Sequence, residues 1–88
     1  MEYKVELYVG SLPWSATEEE LKKLFSEFGE VTKVFIPWDR ANERGRGYGF
    51  VTMVDSEAAA KAIGGLDGTE LRGRTLRVSK SLNPRFRY

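Results

Sequence analysis

The stretch that most constrains the fold is Arg46-Gly47-Tyr48-Gly49-Phe50-Val51-Thr52-Met53. Side chains of a β-strand alternate between its two faces. One face then carries Arg46, Tyr48, Phe50 and Thr52, and the other carries Gly47, Gly49, Val51 and Met53. The second set is small or apolar and suits a core. The first set puts two aromatic rings and a cation where water should be. A half-buried strand ordinarily turns its aromatics inward, so a sheet built around this strand must keep one face uncovered. Rings displayed on a rigid sheet beside a guanidinium are suited to stacking unpaired bases and neutralising phosphate.

The neighbouring segments predict what covers the other face. Val5, Leu7 and Val9 alternate with Glu6 and Tyr8, giving a first strand whose Tyr8 shares the open face with Tyr48 and Phe50 if the two strands are adjacent. Gly10 to Ser15 read as a turn. Thr17 and Glu20 then form a capping box, and Glu18, Glu19 and Glu20 suit the positive end of a helix dipole. Leu21, Leu24, Phe25 and Phe28 fall at i, i+3, i+4 and i+7, one apolar stripe, and Gly29 is placed to end that helix in a left-handed conformation.

A second strand is expected from Val31 to Trp38, with Val34 and Ile36 inward and Lys33 and Phe35 opposite. Pro37 cannot donate to a ladder, so this is an edge strand. Asp39 to Gly45 is a polar loop with Arg40 and Arg44. Asp55 and Ser56 are cap candidates for a second helix with the stripe Ala59, Ala62, Ile63 and Leu66. Its alanines allow close approach to the sheet, and Gly64-Gly65 and Asp67-Gly68 are expected to break it. Glu70 to Arg74 reads as a short turn or small hairpin. In the last strand Leu76 and Val78 face inward, with Thr75, Arg77 and Ser79 outward. Both helical stripes can be buried only if both helices cover the same side of one antiparallel sheet. The expected class is α+β, with one domain over residues 1–80 and a basic aromatic tail over 81–88 that holds Arg85, Phe86, Arg87 and Tyr88.

Composition narrows the chemistry. The 88 residues contain no Cys and no His, which removes disulfides, thiolate nucleophiles, imidazole bases and Cys/His zinc sites. No cofactor or metal is expected. No run of residues is long and apolar enough for a membrane span, and Met1-Glu2-Tyr3-Lys4 lacks the basic start and apolar run of a signal peptide. The default is an intracellular monomer. Net charge is +1, but it is segregated. Arg72, Arg74, Arg77, Lys80, Arg85 and Arg87 occur from Arg72 onward with no acid among them, whereas Glu18 to Glu30 holds five acids against Lys22 and Lys23.

The octamer resembles the [KR]-G-[FY]-[GA]-F-V-x-[FY] signature of the RNA-recognition motif family at every constrained position but the last, where Met53 replaces an aromatic. Leu7-Tyr8-Val9-Gly10-Ser11-Leu12 resembles that family's hexamer, with Ser11 where Asn is more frequent. The two motifs stand in the family's order, separated by a helix and a strand, and the resemblance covers about residues 5 to 80. The wording around Pro13-Trp14 and Gly49 to Met53 is similar to chloroplast ribonucleoproteins and to small bacterial and plant single-motif proteins of the glycine-rich type. The resemblance implies a ferredoxin-like βαββαβ fold, with the first and third strands central and the second and fourth at the edges. It also implies binding of single-stranded RNA, or single-stranded DNA, on the open face.

By that resemblance Tyr8, Tyr48 and Phe50 map onto three base-stacking positions, and Arg46 onto a basic position that meets a phosphate. Strand parity and tail position put Arg77 and Lys80 at the sheet edge as phosphate or base contacts, and Lys33 on the open face of the opposite edge. Phe35 is a fourth stacking platform or an apolar cover for that edge. Trp14 and Trp38 read as loop packing. Met53 faces the core by parity, and Ser11 should have only a local effect. Three other readings compete. A protein-interaction module on the same fold draws support from Phe35 and the tail. An engineered or consensus member of the family would show the same residues without a natural partner. A small acylphosphatase-like enzyme would need an anion-cradling loop with Arg and Asn after the first strand, and Gly10-Ser11-Leu12-Pro13-Trp14 supplies neither.

Overall fold

In a computed structural model that describes residues 4–81, the alternating and stripe-forming segments become ten elements. In chain order they are β1 (Val5–Gly10), α1 (Glu18–Ser26), β2 (Val31–Phe35), β3 (Trp38–Asp39), β4 (Arg44–Gly45), β5 (Gly49–Met53), α2 (Ser56–Leu66), β6 (Glu70–Leu71), β7 (Arg74–Thr75) and β8 (Arg77–Lys80). The main sheet is antiparallel with strand order β2-β5-β1-β8. The two motif-bearing strands are central, and the strand before Pro37 is an edge. Helix α1 packs over β2 and β5, and α2 over β8, β1 and β5. All of these contacts lie on one side, where Leu7, Val9, Leu21, Phe25, Val51, Met53, Ala59, Ala62, Leu76 and Val78 form a continuous core. This is the ferredoxin-like α+β arrangement. The tail residues 82–88 lie outside the described residues.

Local signals explain the helix starts. The Thr17 hydroxyl accepts from Glu20 N–H at 3.1 Å, while Glu20 Oε1 accepts from Thr17 N–H at 3.5 Å. Asp55 alone caps α2, its Oδ1 accepting from Ala58 N–H at 2.9 Å.

The helix ends differ from expectation. Helix α1 closes at Ser26 with Glu27 as its C-cap, so Gly29 stands beyond the cap with φ +154° instead of in the left-handed helical well. Glycine is needed there for another reason, since an added Cβ would overlap the Ala58 side chain of α2. Helix α2 is not broken at Gly64-Gly65 but runs through to Leu66. The missing side chain at Gly65 leaves room for the Phe28 ring, which an added Cβ would overlap. Close packing between the end of α1 and the last turn of α2 outweighs the roughly 1 kcal/mol per glycine lost in helix propensity.

The second predicted strand stops at Phe35, and Trp38–Asp39 pairs instead with Arg44–Gly45 in a separate small hairpin. A bulge lies between Val31 and Lys33: Val31 pairs with Met53 and Lys33 with Thr52. The extra residue lets Val31 and Val34 both pack against the core, although strict alternation would put them on opposite faces. The Glu70 to Arg74 segment is a hairpin, with Arg72 and Gly73 at φ +49° and +85°, the signs that a tight primed turn requires.

Candidate nucleic-acid interface

Strand pairing decides which side chains share the uncovered face. Tyr8 lies directly opposite Phe50 on β5 and opposite Ser79 on β8, and Phe50 lies opposite Phe35 on β2. The sheet is therefore crossed by one transverse row, Phe35–Phe50–Tyr8–Ser79, facing away from the helices. Tyr8 and Phe35 remain 38% and 37% exposed. The Tyr8 and Phe50 ring centroids are 6.0 Å apart, edge to face.

Tyr48 joins this row from outside the ladder. The octamer is a regular strand only from Gly49, because Gly47 has φ +87° and breaks the alternation. Tyr48 still stacks beside Tyr8 at 6.1 Å with 27° between ring planes, and meets Phe50 edge-on at 5.9 Å. Such contacts are worth about 0.5–1.5 kcal/mol per pair and hold the three rings as one surface. The Tyr8 ring also lies over Gly10, where an added Cβ would come within 2.8 Å of Cε2.

The same break at Gly47 corrects the placement of Arg46. Parity expects it beside Tyr48 on the sheet. Instead it is exposed in the link between β4 and β5, its N–H bonded to Pro37 O at 3.2 Å. It lies near Asp39. The Asn42 side-chain amide, at 2.9 Å, is the chief cause that holds the Asp39 carboxyl below the usual range, followed by the Asn42 and Ala41 N–H groups, with Arg46 adding to the effect.

Arg77 pairs with Gly10 and so shares the open face with Tyr8. An open groove of about 390 Å³ runs between Tyr8, Gly10, Arg77 and Ser79. A larger hollow lies along α1, lined by Thr17, Glu19, Glu20, Lys22, Lys23 and Ser26, all on the helix side and away from the rings. Lys33, opposite Thr52, is exposed on the open face of the far edge. Lys80 is different. It pairs with Leu7, whose side chain is in the core, so its strand parity is that of the helix side, and it lies exposed at the edge apart from the aromatic row.

Three features were missed in the sequence. Glu6, on the open face opposite Thr52, is only 4% exposed, a buried carboxyl where strand parity alone suggests a solvated one. Arg72 does not join the basic surface: its guanidinium forks onto the Glu20 carboxylate at 2.5 and 2.9 Å. That contact is the largest cause that holds the Glu20 carboxyl below the usual carboxylate range. Trp14 packs under the Arg44 guanidinium, 3.5 Å from the ring centroid. No local periodicity signals any of these, since each joins segments far apart in the chain. Ser11 has φ +59°, a left-handed conformation that Asn adopts more readily than most residues, which accounts for the Asn in the hexamer pattern. Met53 is fully buried on the helix side, as parity expects.

The family model for the RNA recognition motif matches residues 7–77. Among curated relatives, the Nostoc protein named RNA-binding protein RbpE is 49% identical over 77 residues, which cover 88% of this chain and 78% of the relative. A 31 kDa chloroplastic ribonucleoprotein of Nicotiana sylvestris is 44% identical over 78 residues, 89% of this chain but 25% of the relative. This chain therefore spans most of the first relative and a quarter of the second. Among solved structures, the Rna15 RRM with bound RNA (GU) superposes with a TM-score of 0.82 at 35% identity, covering 89% of this chain and 83% of that one.

Proposed function

The chain belongs to the RNA recognition motif family, and on that footing we propose that its open sheet face binds single-stranded RNA by stacking unpaired bases on Tyr8, Tyr48 and Phe50. The observation that carries this is the three rings, each about 6 Å from the other two, on the face opposite both helices. A stacked base contributes about 1–3 kcal/mol, so three stacks supply most of the roughly 8 kcal/mol of a micromolar complex. Names of the relatives and the RNA-bound neighbour support the same reading.

Phe35 extends the row to the β2 edge as a fourth platform. Arg77 and Lys33, at opposite edges of the open face, take phosphates, and Arg46 does so where the strand leaves Tyr48. Lys80 contributes charge at the edge and no base contact. Stacking needs no acid, base or nucleophile, so the molecule acts as a binding module and not as an enzyme. It works as an intracellular monomer. Single-stranded DNA can stack in the same way, with a weaker complex wherever a 2′-hydroxyl is read. The Nicotiana relative's name points to a chloroplast ribonucleoprotein setting.

The test is titration of fluorescent U-rich, A-rich, G-rich and mixed RNAs at two salt concentrations, against the protein and a Tyr8→Ala/Phe50→Ala variant. Salt-sensitive binding that the variant loses supports the sheet. Equal binding by both proteins refutes it.

A further inference from the structure

The Trp14–Arg44 contact lies outside the four-stranded sheet. Trp14 is 53% exposed, so the indole is not held in place by burial. It is held by its backbone and by Arg44. Ala16 N–H bonds to Pro13 O at 3.0 Å, Gly45 N–H to Trp14 O at 3.2 Å, and Leu12 N–H to Gly47 O at 2.8 Å. The first closes a turn around the tryptophan, and the other two tie the loop after β1 to Gly45 of β4 and to Gly47. The guanidinium over the ring makes no ion pair with any described acid; the pairs among described residues are Lys61–Glu57 and Arg72–Glu20. An exposed, pre-positioned indole beside a cation that is in no ion pair among the described residues combines the two groups that take a base and its phosphate.

The location gives this pair its occupant. Gly47 abuts the indole, since a Cβ there would lie 3.6 Å from Trp14 Nε1, and the next residue is Tyr48, whose ring is part of the sheet surface. Gly47 thus links the indole to the ring surface at Tyr48. Arg46 stands exposed in the same link. The hairpin and link carry Arg40, Arg44 and Arg46 against Asp39 and Glu43.

We propose that Trp14 and Arg44 form a stacking site, off the sheet, for one further unpaired base of the same single-stranded RNA. The inference rests on the sheet-binding reading. It makes the footprint one nucleotide longer than the sheet alone accommodates, and it gives that nucleotide a rigid site with little ordering entropy to lose.

The experiment uses labelled oligouridines lengthened one nucleotide at a time, titrated against the protein, Trp14→Ala, Trp14→Phe and Tyr8→Ala/Phe50→Ala. Beyond the length that fills the sheet, the unmodified protein gains a further step in affinity. Trp14→Ala loses that step, about 5- to 150-fold, equivalent to about 1–3 kcal/mol, and matches the unmodified protein on shorter RNAs. Trp14→Phe keeps most of it. In a Trp38→Phe background Trp14 is the sole indole, because the chain has two tryptophans, and its emission is quenched only by the longer RNAs. Unchanged affinity of Trp14→Ala at every length overturns the proposal and leaves the sheet reading intact. Equal loss at every length, or loss that Trp14→Phe does not restore, assigns Trp14 a purely structural role and also overturns it. The Tyr8→Ala/Phe50→Ala variant reports on the sheet separately, losing affinity at all lengths.

Discussion

Replacing Gly10 with alanine perturbs the ring surface without removing a ring. Gly10 lies on β1 opposite Arg77, and the Tyr8 ring lies across it. An alanine Cβ would sit 2.8 Å from Cε2, 2.9 Å from the hydroxyl oxygen and 3.1 Å from Cζ of Tyr8. All three atoms belong to the far end of a side chain that can rotate, so the fold accommodates the methyl and the ring moves. Its displacement opens the 6.1 Å stack with Tyr48 and the 6.0 Å contact with Phe50. Binding then loses up to one full stack, about 1–3 kcal/mol, or roughly 5- to 150-fold in affinity. Stability changes by less than about 1 kcal/mol, which for a domain of this size moves the melting temperature by less than about 4–8 °C. Fluorescence anisotropy with a U-rich RNA and a thermal melt followed by circular dichroism measure the two quantities, with Tyr8→Ala as the reference for complete loss. If Tyr8→Ala weakens binding and Gly10→Ala does not, the ring's position over Gly10 has no functional weight. If neither weakens binding, stacking on Tyr8 is refuted.

Gly29→Ala acts on the fold instead. Its Cβ meets the Ala58 side chain and backbone at a φ of +154°, and overpacking plus backbone strain predict a loss of about 2–5 kcal/mol, read as a lower urea midpoint. Arg72→Gln removes the fork onto Glu20. Glu20 is depressed in the folded state by Arg72, so the pair's contribution is present above the unfolded glutamate value and is lost as pH falls through the lower folded value. The variant should be slightly less stable at neutral pH, as for other exposed ion pairs, with the gap to the unmodified protein closing below about pH 4; a gap that persists in acid refutes the ion-pair account. Arg77→Ala should weaken RNA binding uniformly across sequences and make the plot of log affinity against log salt shallower by about 0.7, the increment of one phosphate contact on a single strand. An unchanged slope would remove Arg77 from the phosphate contacts.

Much of the site was legible because the signals are local. The alternation of Val5, Leu7 and Val9 with Tyr8 put that ring on the open face, and Phe50 followed from Val51 and Met53 in the same way. The capping box at Thr17 and Glu20 involves residues three apart and needs no tertiary context. Arg46 was read on the sheet beside Tyr48, whereas it is exposed in the link before β5. Parity fails for Arg46 because Gly47 takes a positive φ. Lys80 was put at the sheet edge, where it is exposed, although it shares the parity of Val78 and not that of Ser79.

The sequence by itself determined the order of the two helices and the four main strands, the apolar stripe or face of most of them, and hence that one sheet face stays uncovered with its aromatics displayed. Side-chain direction along a helix or strand depends on the backbone period alone, and that period is written in neighbouring residues. Only the tertiary structure decided what meets across the chain. The bulge at Val31 and Lys33 follows from the pairing of β2 with β5. The passage of α2 through Gly64-Gly65 follows from the Phe28 ring, the diversion of Arg72 from Glu20, and the seating of Trp14 from Arg44. Each depends on the close packing of segments that lie apart in the chain, where the shape of the partner, and not the local period, selects the lowest free energy.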